Sequence, residues 1–552
     1  MTPVPQQLIR SPGWIRAVLM AGFGMLLLAA FLLPAREPGT HGLVIEWRPS
    51  GELAGLLFLV AMAALVLPQF FVRRGPALAL AVLLVAAALL NLADAVTPTL
   101  LGRDLNLYWD LRHLPSLIGL ARESAGLWRV AGAAMLLAGA ILLMVAGSYW
   151  IWRKVLVALT DRRVAIGAVV FLGVALDITA FAPAERRPLA TGLGLDIVRH
   201  AIALDRSLRL PESGGPTPAA LATPAPPRSD LVGLKQRDVY LVYIESYGTT
   251  VFDTPEFRAS LRGSLAQFES ALRASGYTIA SNRLVSPTFG GGSWLAHATL
   301  ASGVRLDDPV LYSQLLGSGR KLLPGYFKDA GWRAIDIMPG TKTPSPEARA
   351  WGFDREIFAA ELGYHGPSFG WFAIPDQFTL DRATALRSAL GSEPPVFTQI
   401  VLVSSHIPFS PVPPYLADWR DSGTFSTVPA DAWEEIYRQP DWAALAPNYL
   451  NSLKYDFDVL GHWLSQEMLE NALVILLGDH QPPAVIGGEL HEWTVPIHVL
   501  SRDPDLVAPF IAAGYVAGIV PTQAPPHLGM EKFLPSFLAA FDRPGEFEVI
   551  HP

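Results

Sequence analysis

The chain contains no cysteine among its 552 residues. That excludes disulfides, thiolate-bound zinc, thiol nucleophiles and cysteine-held iron–sulfur clusters together. It leaves the redox compartment open, because a domain large enough to bury its own core needs no covalent staples. Charge is scarce as well, at 16% of residues, where soluble chains carry about a quarter. The net charge of −7 includes no basic excess and no Lys/Arg-rich tract, so nucleic acid is not an expected partner. Any metal must be held by carboxylate, imidazole or hydroxyl groups, a donor set that suits Mn²⁺, Mg²⁺ or Zn²⁺.

What is abundant is apolar side chain, 51% of the total. It is concentrated ahead of about residue 185, where five stretches have membrane-spanning length: roughly 13–34, 52–72, 76–97, 127–151 and 164–183. Arg10 and Arg16 precede the first stretch, Arg73 and Arg74 separate the second from the third, and Arg153, Lys154, Arg162 and Arg163 separate the fourth from the fifth. The alternate loops mix signs, as in Asp104, Asp110, Arg112 and Glu123. Basic loops stay in the cytoplasm, so the N-terminus is expected inside and everything after the fifth crossing outside. Asp94 and Asp177 fall near the outer ends of their spans and read either as carboxylates reaching the interface or as markers of an intramembrane pathway. The segment 104–123 reads either as an interfacial amphipathic helix or as packing onto the bundle.

A Pro-, Gly-, Ala- and Ser-rich stretch from about 208 to 236 has linker composition. Beyond it, strand and helix patterns alternate. Strands are expected at 238–244, 332–337, 396–404, 472–478 and 494–500, and helices over 256–273 and about 447–468. In the first of these helices, apolar residues recur at helical spacing as Phe257, Leu261, Leu265, Phe268 and Leu272. The expected architecture is a membrane domain of five transmembrane helices (1–185), a linker (186–236) and an α/β domain with a mostly parallel sheet (237–552).

Ligand sites in such sheets gather at the carboxyl ends of strands. Glu245 follows VYLVYI, Ser404-Ser405-His406 follows FTQIVLV, and Asp479-His480 follows ALVILLG. Two acids and an imidazole at separate strand ends form a natural cage for a divalent cation. In SPTFGGGSWLAHATLASG (286–303), three glycines run into Ser293 and a helical pattern follows. A hydroxyl there meets the N–H groups of a helix start, which favour phosphate or sulfate, although Ser293 could equally be only a cap. Thr288 and Thr299 are rival hydroxyls.

Taken together, these residues resemble the lipoteichoic acid synthase branch of the alkaline phosphatase/sulfatase superfamily. The matching segments are YIESYG with Glu245, GGGSW with Ser293, SHIPF with His406 and LLGDHQ with Asp479–His480; AWGFDREIF (350–358) and FGWFAIPDQFTLD (369–381) also match. The resemblance implies a metal site of Glu245, Ser293, Asp479 and His480, with Mn²⁺ as the expected ion and Zn²⁺ or Mg²⁺ as others. It implies a nucleophile at Ser293, where the family has Thr, and a phosphate contact from His406. The family's head-group segment is replaced around Met338-Pro339-Gly340-Thr341, leaving Lys342 and Arg349 as electrostatic substitutes. His491, twelve residues after Asp479, is either a phosphate or second-metal ligand or a loop residue, and His498 is read as structural. A formylglycine sulfatase is disfavoured: the nearest string, SPEAR at 345–349, has its proline one position early.

The function so implied is a phosphotransferase of the cytoplasmic membrane with its catalytic domain outside. It would move a phospho-head group, glycerophosphate from phosphatidylglycerol, through a covalent Ser intermediate onto an extracytoplasmic glycan, lipid or polymer. The alternatives are a phospho- or sulfo-ester hydrolase, a phosphoethanolamine transferase, which the missing cysteines count against, and a non-catalytic envelope scaffold.

Overall fold

The computed structural model describes residues 50–101, 126–182 and 220–542 almost continuously, with breaks at 343–347, 371, 392–393, 439–443, 468–471 and 488–492, plus scattered positions elsewhere before residue 220. The chain forms two compact units, Met1–Thr99 with Asp104–Leu208 and Leu100–Arg103 with Arg209–Pro552.

The first unit is helical: α1 (Gly51–Val66), α2 (Arg74–Leu101), α3 (Leu127–Leu159) and α4 (Arg162–Phe181). Among the described residues, three helices are long and apolar enough to cross a membrane: Arg74–Thr97 within α2, Leu127–Leu159 and Arg162–Phe181. The expected first span lies outside the described residues. The second is shorter than its apolar run, because Pro68, which lacks an N–H, follows Leu67 and opens a separate short helix. Sixteen residues rise about 24 Å, less than the hydrocarbon core of roughly 30 Å. Arg153 Nη1 donates to the carbonyls of Val72 (2.7 Å) and Arg73 (3.0 Å), drawing two basic loops together. Asp94 lies 3.2 Å from His200 Nε2. The segment 104–123 lies mostly outside the described residues.

The second unit is built on one nine-stranded sheet. Its strands are β1 (Val239–Ile244), β2 (Thr278–Val285), β3 (Arg333–Met338), β4 (Arg355–Phe358), β5 (Val396–Val401), β6 (Leu473–Gly478), β7 (Thr494–Ser501), β8 (Val516–Ala517) and β9 (Leu528–Gly529). They lie in the order β8-β2-β7-β6-β1-β5-β3-β4, with β9 beside β2. From β6 to β4 all neighbours are parallel. On the other side β7 runs antiparallel to β6 and to β2, and β8 antiparallel to β2. The sheet is therefore mixed, and the expectation of a mostly parallel one describes only its β6-to-β4 half.

All six residues of β1 are buried because each face of the sheet has its own core. Tyr240, Val242 and Ile244 pack with α5 (Pro255–Ala274) and α8 (Leu445–His462). Val239, Leu241 and Tyr243 pack with α6 (Ser293–Ser302) and α9 (Phe533–Phe541). The remaining helix used below, α7 (Asp376–Ala389), contributes Phe378, Leu380 and Ala383 to the first core. In α5 the buried residues are Phe257, Leu261, Leu265, Phe268 and Leu272, the apolar stripe read from the sequence. Side chains alternate along a strand, so Glu245, just past β1, points as Tyr243 does, toward the α6 layer.

Candidate metal centre

Strands β6, β1 and β5 are adjacent, and all three end on the same side. Ile244 pairs with Gly478, so the residues one step further, Glu245 and Asp479, emerge side by side. Gly478 has to be glycine: a Cβ there would lie 1.8 Å from the Tyr247 carbonyl oxygen. Ser293 arrives from across the layer. Gly292, at φ +80°, occupies the cap position of α6, so Ser293 is the first helical residue and its hydroxyl is not spent on capping.

That hydroxyl lies 3.2 Å from Glu245 Oε2 and 3.2 Å from His480 Nε2. His480 Nε2 is 3.3 Å from Glu245 Oε1 and 3.5 Å from Asp479 Oδ2. Donor atoms from Glu245, Asp479 and His480 all lie within 4.8 Å of one another, and the three residues are buried. The second ring nitrogen of His480 is 2.8 Å from the carbonyl oxygen of Gln481. A carbonyl only accepts, so Nδ1 carries a proton and neutral His480 turns a lone pair at Nε2 toward the acids and Ser293. Asp479 Oδ1 accepts the N–H groups of Ser246 (2.9 Å) and His480 (2.7 Å). Its Oδ2 is buried and accepts no hydrogen bond among the described residues. An orphaned carboxylate oxygen, a second acid and an inward-facing imidazole fit a divalent cation.

Electrostatics agree with that fit. Burial works against ionising Glu245, but the hydrogen bond and charge of His480 outweigh it and hold the carboxyl well below the usual range. Burial also opposes charge on His480, yet Asp479 and Glu245 beside it push the imidazole up to about 9. Burial and the charge of Glu245 raise Asp479. Without a cation the cluster retains protons that a cation would displace.

The other expected residues fall as follows. His406 is half-buried beyond β5; its Nδ1–H donates to the Ile407 carbonyl at 2.7 Å and its ring meets Phe372 edge-on at 4.7 Å. Its charge bears on Glu245. Lys342 and Arg349 are exposed after β3, and His491 lies outside the described residues. Thr299 is occupied by the Leu306 N–H at 2.9 Å, and Thr288 sits beside Ser286 at 3.4 Å. His498 is locked between Ser281 Oγ (2.7 Å) and Tyr247 OH (3.1 Å), a structural place, and burial lowers its imidazole to about 3. Sequence reasoning passed over Ser246 and Gln481. Gln481 ties Thr249 (3.1 Å), Thr250 N (3.3 Å) and Thr494 O (2.7 Å) around the strand ends. Its position directly after Asp479–His480 was the available signal.

Residues 296–494 match the family model described as Sulfatase. The domain built on the nine-stranded sheet belongs to the sulfatase superfamily of enzymes. The matched stretch includes His406, Asp479 and His480; Ser293 lies just ahead of it and Glu245 well upstream. No curated protein matches the chain. Among solved structures it is similar to the lipoteichoic acid synthase LtaP from Listeria monocytogenes, at 14% identity and TM-score 0.30 over 48% of this chain and 65% of that one. It is also similar to the soluble domain of lipooligosaccharide phosphoethanolamine transferase A from Neisseria meningitidis (15%, 0.36, 55% and 87%). A third likeness is to the Streptococcus pyogenes phosphoglycerol transferase GacH in complex with sn-glycerol-1-phosphate (12%, 0.33, 57% and 94%). The chain spans just under two thirds of the first of these. At such identities and scores the three likenesses assign no activity.

Proposed function

We propose that this protein is a membrane-anchored phosphotransferase whose nucleophile is Ser293. The observation that carries the reading is the position of Ser293 Oγ, 3.2 Å from both Glu245 Oε2 and His480 Nε2 at the start of α6. Glu245, Asp479, His480 and Ser293 would hold a divalent cation, Mn²⁺ by resemblance, with Zn²⁺ or Mg²⁺ as the other candidates. When bound, the cation would supply positive charge that favours the ionised hydroxyl and offsets charge on the phosphoryl oxygens.

The chain's own residues do the rest. The start of α6 directs the positive end of the helix dipole toward a phosphate held beside Ser293. Glu245 orients the Ser293 hydroxyl. Ser293 Oγ, its proton already released to bulk water, attacks phosphorus in a phospholipid diester, the bond to the diacylglycerol oxygen breaks, and protonated His406 gives that oxygen its proton. Neutral His406 then takes the proton of an acceptor hydroxyl through Nε2; the acceptor oxygen attacks the phospho-serine, and Ser293 Oγ leaves. The carbonyl of Ile407 fixes the tautomer in which Nε2 is the working atom.

The donor is proposed to be phosphatidylglycerol and the acceptor an extracytoplasmic glycan, lipid or polymer hydroxyl. Three apolar helices and basic loops around Arg73–Arg74 and Arg153–Arg163 support a multi-pass protein of the cytoplasmic membrane, N-terminus inside and catalytic domain outside. Purified protein given phosphatidylglycerol labelled in its head group tests the reading. Diacylglycerol release with transfer of label to an added acceptor is expected; label released as free glycerophosphate whatever the acceptor would make the enzyme a hydrolase.

A further inference from the structure

Behind the loop bearing His406 lie two acids that no step above uses. Asp376 begins α7 and Asp456 sits within α8, and both have 0% exposure. Asp376 clamps the loop. Its Oδ1 accepts the Val403 N–H at 2.8 Å and its Oδ2 the Ser404 N–H at 2.9 Å, while Ser404 Oγ accepts the Asp376 N–H at 3.2 Å.

Asp456 is the opposite case. Neither of its oxygens accepts a hydrogen bond among the described residues. A dry, ionised carboxylate without a donor is untenable, so Asp456 must carry a proton. The polar groups beside it are the Asp376 carboxyl and the Ser405 hydroxyl. Ser405 Oγ already donates to the Glu245 carbonyl at 2.8 Å. The charged carboxylate of Asp376 is the stronger acceptor for the Asp456 proton.

We propose that Asp456 is the protonated half of a buried acid pair that latches the His406 loop, its proton donated to Asp376. The Asp376 carboxylate in turn holds the backbone of Val403 and Ser404, which sets where His406 stands and where Ser405 grips the main chain of Glu245. These are positioning residues; neither touches the reacting atoms. Burial raises both carboxyls, Asp376 to about 6 and Asp456 further, with each acid affecting the other. The other titratable groups facing the pair are two tyrosines of α8, Tyr455, whose hydroxyl accepts the Gln377 N–H at 3.3 Å, and Tyr449, whose hydroxyl donates to the Ser246 carbonyl at 2.9 Å, with Tyr364 beyond Tyr455. Among the described residues neither acid pairs with a lysine or arginine.

Loss of the shared proton leaves two like charges in a dry site, so the latch opens as pH rises. The inference concerns the loop and holds for any reaction at the Ser293 centre. The test uses the full chain in detergent with Mn²⁺, following cleavage of bis(4-nitrophenyl) phosphate and thermal unfolding across pH. In Asp456→Asn the amide can donate to Asp376 as the acid did. This variant should keep kcat near wild type at about pH 6.5, and its alkaline fall should move up by about one pH unit or more. Asp456→Ala should lose about tenfold or more in kcat at every pH. The melting midpoint should fall less steeply with rising pH in Asp456→Asn than in wild type. A wild-type alkaline fall of rate and melting in Asp456→Asn, or a wild-type kcat in Asp456→Ala, overturns the latch. If the diester is not cleaved at all, the transferase reading suffers, and the melting comparison alone decides this one.

Discussion

Removing a proton from His480 is the hidden cost of loading the metal centre, and the structure sets its size. At neutral pH the imidazole, pushed up to about 9, is charged and held by Glu245 and Asp479. A cation can be bound at Nε2 only after that proton leaves, because the Nδ1 proton is held by the Gln481 carbonyl. Between a pKa near 9 and pH 7 lie about two pH units, or about 2.7 kcal/mol at 1.36 kcal/mol per unit. Apparent affinity for Mn²⁺ or Zn²⁺ should therefore rise about tenfold per pH unit from pH 6 to pH 8 and level off beyond about pH 9, with at least about one proton released per ion at pH 7. Burial and Glu245 also raise Asp479, which adds to the release at the acid end. The assay is titration calorimetry of metal-stripped protein in two buffers of different ionisation enthalpy, repeated across pH. An affinity flat between pH 6 and pH 8, with no proton release, would show that His480 is not the ligand and would refute the argument.

Ser293→Ala should lower turnover by about a thousandfold or more while leaving the fold intact, since only the attacking oxygen is removed; steady-state rates and a melting curve check both parts. Burial, opposed by the 3.0 Å bond from Gln399 Nε2, pushes the Asp336 carboxyl from 3.8 up to about 7. The folded state then binds a proton that the unfolded chain gives up, so stability present at acid pH is lost as pH climbs from about 4 to 7, by up to about 4 kcal/mol. Asp336→Asn should flatten that slope and raise stability at pH 8, read by urea unfolding at pH 5 and pH 8. Gly478→Ala forces a Cβ to within 1.8 Å of the Tyr247 carbonyl; it should destabilise the domain by about 2 kcal/mol or more and weaken metal binding, checked by denaturation and by metal titration.

The parts of the domain that were legible in sequence are those where burial and composition coincide. β1, β5 and β6 are apolar runs enclosed on both faces, so their polar successors stood out, and α5 shows its buried stripe at helical spacing. β2, TIASNRLV, was missed because its buried residues include Ser281 and Arg283. Ser281 is matched by His498, and Arg283 by Asp253 at 2.7 and 2.8 Å. A compensated buried charge reads as surface in a sequence, since its partner is distant along the chain. Without β2 the antiparallel half of the sheet could not be seen either. Asp376 and Asp456 were invisible for the same reason, each being an ordinary acid in a helical stretch until the other is placed beside it.

The pairing of Ile244 with Gly478 on one side and of Tyr243 with Val401 on the other makes the spacing of the site segments a property of neighbouring strands. Strands in a sheet stand about 4.8 Å apart whatever joins them. The excursions between β1 and β5, and between β5 and β6, can therefore lengthen, shorten or acquire new sequence without moving Glu245 relative to Asp479. A slip of one residue in β1 would turn Glu245 to the opposite face, beyond repair by any loop. Diversification of what this domain accepts is thus free to occur in the connections, while the two acids stay anchored in the register.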